Sequence, residues 1–128
     1  MRKLTKVDLD TAYLIYFTVF PRNGRETLTG SLDRAVADLF EIEEKPFSTS
    51  LEASYELLDG LVINQNDDYT NVDFREYRNE DGTFSHIICD INEDSDGVSL
   101  RGSGTAATRG EALFQAVVSA FTVLVEND

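Results

Sequence analysis

The hydrophobic period of this chain changes along its length, and that change limits the fold more than any other feature. In Ser31–Ile42, the residues Leu32, Ala35, Val36, Leu39 and Phe40 recur at the spacing of a single helix face. From Val72 to Arg75 the rhythm is alternation, with Val72 and Phe74 set against Asp73 and Arg75. Toward the end the helical spacing returns, and Ala112, Leu113, Ala116, Val117, Ala120, Phe121 and Leu124 make a continuous apolar face. A segment patterned for a helix exposes its apolar residues when forced into a strand, and the reverse also holds. Helices on both flanks with strands between them therefore specify an α+β fold. The expectation is an antiparallel sheet of three to five strands packed with helices near 31–42, 50–59 and 109–125.

Local punctuation places the boundaries. Ser31 is suited to cap the first of these helices, because its hydroxyl can accept from an orphan helix N–H, and Pro46 ends any continuation. Thr49-x-x-Glu52 has capping-box form, with Leu51, Tyr55 and Leu58 on one face and Gly60 as a stop. Strands are expected at about 71–78 and 83–91, joined by a turn at Asn79-Glu80-Asp81-Gly82, with Ile87, Cys89 and Ile91 sharing a face. A turn at Asp94-Ser95-Asp96-Gly97 leads to a third strand at Val98–Arg101, and Leu61–Ile63 reads as a further edge strand. Thr108-x-x-Glu111 opens the last helix, where the additional hydrophobic residues Phe114, Val118 and Val123 imply burial on more than one side. Residues 1–30 read two ways. Tyr13–Phe20 is aromatic and β-branched, which favours a strand followed by a turn at Pro21-Arg22-Asn23-Gly24. Leu4, Val7, Thr11, Leu14 and Thr18 would also form a helical stripe. The strand is preferred. At 128 residues the chain fits a single domain, with 1–30 as an extension and 31–125 as the core.

Charge narrows the class of partner. There are 24 acidic against 11 basic residues, a net charge of −13, and the imbalance lies beyond residue 26. Such a chain is repelled by phosphate backbones and anionic membranes and attracted to basic surfaces. No direct nucleic-acid contact and no membrane association are expected. The apolar run Ala12–Phe20 is too short to span a bilayer, and no small-residue cleavage site follows it. With a lone cysteine, Cys89, the expected compartment is a reducing cytoplasm.

From Ser31 to about Leu124 the pattern resembles the phage ABA sandwich domain, a family of small proteins encoded mostly by bacteriophages and prophages. Leu32-Asp33-Arg34-Ala35-Val36-Ala37 looks like its opening helix. Lys45-Pro46-Phe47-Ser48-Thr49-Ser50 followed by Leu51–Leu58 is similar to its Pro-aromatic-Ser-Thr lead into a second helix, and Thr105–Ala120 resembles its closing Thr/Ala-rich helix. The likeness covers about three quarters of the chain. It departs from the family pattern in its first 30 residues and in lacking tryptophan. The resemblance implies helices sandwiched with an antiparallel sheet and a phage origin. It implies no activity, because the family has no general function to transfer.

Candidate sites follow from the charged and glycine-rich segments. Asn92-x-Asp94-x-Asp96-Gly97 matches the first oxygen-ligand positions of a calcium loop, but Ser103 stands where a bidentate Glu is required, so no metal is expected. Gly102-Ser103-Gly104-Thr105 precedes a helix start at Thr108 and Arg109. With Arg101 this makes a candidate small-anion or nucleotide site, one that lacks the P-loop lysine. His86 and Cys89 are three apart in a strand and should face opposite ways, which argues against a nucleophile–base pair and against an enzyme. The remaining candidate is an acidic partner-binding surface formed by Glu43, Glu44, Glu52, Glu56, Asp67, Asp68, Glu80, Asp81, Glu93, Asp94 and Asp96. The expected function is that of a non-enzymatic, cofactor-free phage protein. It would bind and inhibit a host protein with a basic surface, such as a nucleic-acid-handling or defence complex, in an anti-CRISPR or anti-restriction role. The alternatives are a nucleotide-sequestering protein using Arg101–Arg109, and an assembly protein that forms a homo-oligomer through Tyr13–Phe20.

Overall fold

In the order of the chain, the computed structural model contains α1 (Lys6–Val19), α2 (Leu32–Phe40), α3 (Leu51–Leu61), β1 (Asn71–Arg78), β2 (Phe84–Ser95), β3 (Val98–Ala106) and α4 (Arg109–Glu126). It describes residues 6–61, 71–95 and 98–126. The fold is α+β, with a three-stranded antiparallel meander in the order β1-β2-β3 packed against α4. The expected edge strand at Leu61–Ile63 begins on the last residue of α3, and residues 62–63 lie outside the described region.

Alternation assigns the two faces of the sheet. Ile87, Cys89, Ile91 and Glu93 of β2 share the inner face with Val72 and Phe74 of β1 and with Leu100, Gly102, Gly104 and Ala106 of β3. α4 lies across this face, beneath β3 and β2, and touches α3 and α1 on its other sides. That position explains why Ala112, Leu113, Phe114, Ala116, Val117, Val118, Ala120, Phe121 and Thr122 are all buried, while the polar row Glu111, Gln115 and Ser119 is less so. The close approach is set by glycine. A Cβ on Gly104 would lie 2.6 Å from the Gln115 Cβ and closer still to the Ala112 carbonyl oxygen. One on Gly102 would lie 2.8 Å from the Ala120 Cβ and would collide with the Ala116 carbonyl.

The helix boundaries come from identifiable caps. Ser31 accepts from the Arg34 N–H at 3.2 Å, as its residue type predicts. The stop of α2 is Glu41 rather than Pro46. Glu41 takes the left-handed conformation (φ 58°), and the Ile42 N–H then returns to the Ala37 carbonyl at 3.0 Å. For α3 the cap is Ser50, whose hydroxyl accepts from the Ala53 N–H at 3.2 Å, and not Thr49. Gly60 lies inside α3 rather than ending it, and Tyr55 is exposed while Leu57 and Leu58 are buried. Thr108 caps α4 by accepting from the Glu111 N–H at 3.2 Å.

Residues 13–20 correct the preferred reading. They are helical throughout Tyr13–Val19 and belong to α1, whose Ala12 and Ile15 are buried in the same core as α2, α3 and α4. The aromatic and β-branched run carried strand propensity, but burial of one helical stripe against neighbouring helices overrides it. Thr18 secures the following segment, donating to the Leu14 carbonyl at 2.7 Å and accepting from the Leu28 N–H at 2.7 Å.

Candidate partner-binding surface

The predicted acidic residues are carried by several different elements. Glu43, Glu44, Glu52 and Glu56 are exposed where the α2–α3 connection meets the outer side of α3. Glu43, Glu52 and Glu56 act on Lys45, which forms an ion pair with Glu56 at 2.5 Å. The hydrogen bond to Glu56 raises the Lys45 pKa above its ordinary value. Partial desolvation opposes that rise, while the charges of Glu56, Glu43 and Glu52 add to it. One ammonium thus sits among carboxylates that outnumber it. Glu80 and Asp81 are exposed on a different element, the β1–β2 turn, where Gly82 takes φ 86°. There the Asp81 carboxylate accepts from the Thr83 hydroxyl at 2.6 Å and the Thr83 N–H at 3.0 Å, which lowers its pKa below the ordinary range.

Glu93 leaves the predicted surface. It is 2% exposed, because its register opposite Leu100 turns it to the inner face with Ile91. Charge alone suggested an exterior position, whereas strand parity decided the matter. Asp67, Asp68 and Asp96 lie outside the described residues, as does the Asp94 side chain, and Asp94 and Ser95 are strand residues of β2. Among the described residues no group of three or more His, Cys, Asp or Glu side chains converges on a metal position.

The glycine segment is also placed differently from its expected loop. Gly102, Ser103, Gly104 and Thr105 continue β3 rather than forming a connection. The two glycines face α4, while Arg101, Ser103 and Thr105 face away from it. Arg101 donates to the Asn92 side-chain oxygen across the strands. Arg109 lies over the Phe74 ring at 5.5 Å, on the inner side of the sheet. The two guanidinium groups therefore belong to opposite faces and do not converge on an anion. Within the first turn of α4, Gly110 packs closely on the start of α3, since a Cβ there would come within 2.8 Å of the Leu51 nitrogen. These contacts remove the loop geometry on which the small-anion reading rested.

The outer face of the sheet was not read from the sequence as a unit, although β1 carried the alternation that builds it. The register sets Asn71, Asn92 and Arg101 in one row, Asp73, Asp90 and Ser103 in the next, then Arg75, Ile88 and Thr105, and finally Tyr77 and His86. Arg75 bridges rows to Asp90 at 2.7 Å, and that hydrogen bond is the main cause of its raised pKa. Tyr77 and His86 stack with centroids 4.9 Å apart, and the His86 Nδ1 lies 2.8 Å from the Ser85 hydroxyl. Cys89 points the opposite way, fully buried, and desolvation followed by the charges of Asp90 and Asp73 pushes its thiol up to about 12. As alternation predicted, this histidine and this cysteine cannot meet.

No helix among the described residues is long and apolar enough to cross a membrane. In comparisons with known proteins, no family model, no curated protein and no solved structure matches the chain.

Proposed function

We propose that this chain is a non-catalytic binding protein whose acidic exterior engages a basic surface on a protein partner. The observation that carries this reading is the placement of Glu43, Glu52 and Glu56 about Lys45, with Glu44 also exposed in the same connection, in a chain with a net charge of −13. Carboxylates presented in this way attract a basic partner over a Debye length and repel nucleic acid and anionic lipid. The phage setting comes from the resemblance at Leu32–Ala37, Lys45–Leu58 and Thr105–Ala120. In that setting the partner is a host protein of the nucleic-acid-handling or defence class, met in the bacterial cytoplasm and inhibited by occlusion of its basic groove.

Affinity capture from a bacterial host lysate tests this reading. The wild-type chain should retain a basic protein that is released as salt rises from about 0.1 M to about 1 M, where the screening length falls to about 3 Å. The triple variant Glu43→Gln, Glu44→Gln, Glu52→Gln leaves the Lys45–Glu56 pair intact and should lose the partner at lower salt. Equal retention by variant and wild type at every salt concentration, or no retention at low salt, overturns the proposal.

A further inference from the structure

The two outer edges of the sheet are treated differently. On β3 the Thr105 N–H donates to the Gln115 side-chain oxygen of α4 at 3.0 Å, so the helix partly closes that edge. β1 has β2 on one side, and among the described residues no strand lies on the other. Asn71, Asp73, Arg75, Glu76 and Tyr77 are exposed, and Val72 and Phe74 are only half-buried. An open, partly apolar edge is a template for another strand.

The charge pattern of β1 selects the strand that fits. On a free edge, alternate residues present their N–H and C=O groups outward, so antiparallel self-pairing must centre on a residue rather than between two. Centring on Asp73 sets two aspartates opposite each other, and centring on Arg75 sets two arginines opposite each other. Centring on Phe74 places each Asp73 opposite the other copy's Arg75, a favourable pair formed twice. In the same register Asn71 meets Tyr77, Val72 meets Glu76, and Phe74 meets itself, with no like charges opposed. The usable strand has matching limits, because it starts at Asn71 and its pairing is interrupted by a register shift between Tyr77 and Arg78. Seven residues centred on Phe74 remain. β1 as a whole carries two acids and two arginines, so it is locally neutral in a strongly acidic chain, and its own charge adds no net repulsion between copies.

The geometry points to β1 as a self-association edge, on which the β1 of a second copy of this chain adds antiparallel about a two-fold axis at Phe74. The two sheets then become continuous, and Arg75 is shared between Asp90 of its own chain and Asp73 of the other copy. A strand edge of this length gives a dimer at the small, transient end of interface sizes.

A charge swap tests the register. In sedimentation velocity over a concentration series up to about 1 mM, the wild-type chain should shift from monomer to dimer. Asp73→Arg and Arg75→Asp each create two like-charge pairs and should weaken association roughly tenfold. The double variant Asp73→Arg, Arg75→Asp restores opposite charges and should recover wild-type association. A wild-type chain that stays monomeric throughout, single variants that associate normally, or a double variant that does not recover would each overturn the proposal. Amide exchange on the wild type provides a readout that does not depend on any variant folding. Concentration-dependent protection should appear on alternate amides within 71–77, and protection confined to another element overturns the proposal.

Discussion

Gly104→Ala isolates the contact that seats α4 on the sheet. Elsewhere in a strand this change should help, because alanine restricts the unfolded chain and contributes about 0.4–1 kcal/mol. Here the added methyl would stand 2.6 Å from the Gln115 Cβ, 2.8 Å from the Ala116 nitrogen and closer still to the Ala112 carbonyl. Two of these neighbours are backbone atoms in the middle of α4, so relief requires the helix to move away from β3. Overpacking of this kind costs about 1–3 kcal/mol, and immovable neighbours place this site at the upper end. The net loss is then about 2 kcal/mol. With an unfolding entropy of about 2.1 cal/mol/K per residue over 128 residues, the midpoint should fall by about 7 °C. Ser103→Ala is the control. It sits on the same strand but is exposed on the opposite face, and it should change stability by less than about 0.5 kcal/mol. Thermal unfolding followed by circular dichroism compares the two. A Gly104→Ala protein that melts with the Ser103→Ala control, or above wild type, refutes the seating of α4 on glycine.

Three further outcomes are expected. Ser54, fully buried in α3, donates to the Phe47 carbonyl at 2.7 Å and lies 3.3 Å from the Gly110 carbonyl. Ser54→Ala should therefore cost about 1–3 kcal/mol in urea unfolding, with the slope unchanged. Glu41→Gly relieves a left-handed non-glycine residue at the end of α2 and should raise stability by about 0.5 kcal/mol, read as a higher urea midpoint. With a thiol pKa of about 12, Cys89 at pH 8 is thiolate in only about one molecule in ten thousand. Alkylation of the native protein should then be negligible and should become rapid only in denaturant. Rapid modification under native conditions would contradict the burial of β2.

The candidate surface was legible where one residue's exposure follows from its neighbours in the chain. Glu43 and Glu44 occupy a connection, Glu52 and Glu56 lie on the polar side of a short helix, and all four are exposed. Glu93 shows the limit of that reasoning, because its charge indicated an exterior position while strand parity turned it inward. The Arg75–Asp90 bridge was legible only in part. Alternation announced a polar face on β1, but the pairing of residues 15 positions apart needs the register between two strands.

By itself the sequence determined what short-range chemistry determines. Periodicity separated helix from strand over most of the chain, Ser31 and Thr108 marked helix starts, and Asn79–Gly82 marked the hairpin turn. Those signals are local because caps and turns satisfy backbone groups within a few residues. Tertiary structure decided the rest, at positions whose local signals permitted two answers. Tyr13–Phe20 carried strand propensity, and packing selected α1 through Leu9, Ala12, Ile15, Tyr16 and Val19 rather than through the stripe read at Leu4, Val7, Thr11, Leu14 and Thr18. Gly102 and Gly104 suited either a flexible loop or a close contact. The answer lay in α4, whose backbone occupies the space their missing side chains leave, and its apolar face is buried only if the strand beneath it has no side chains there.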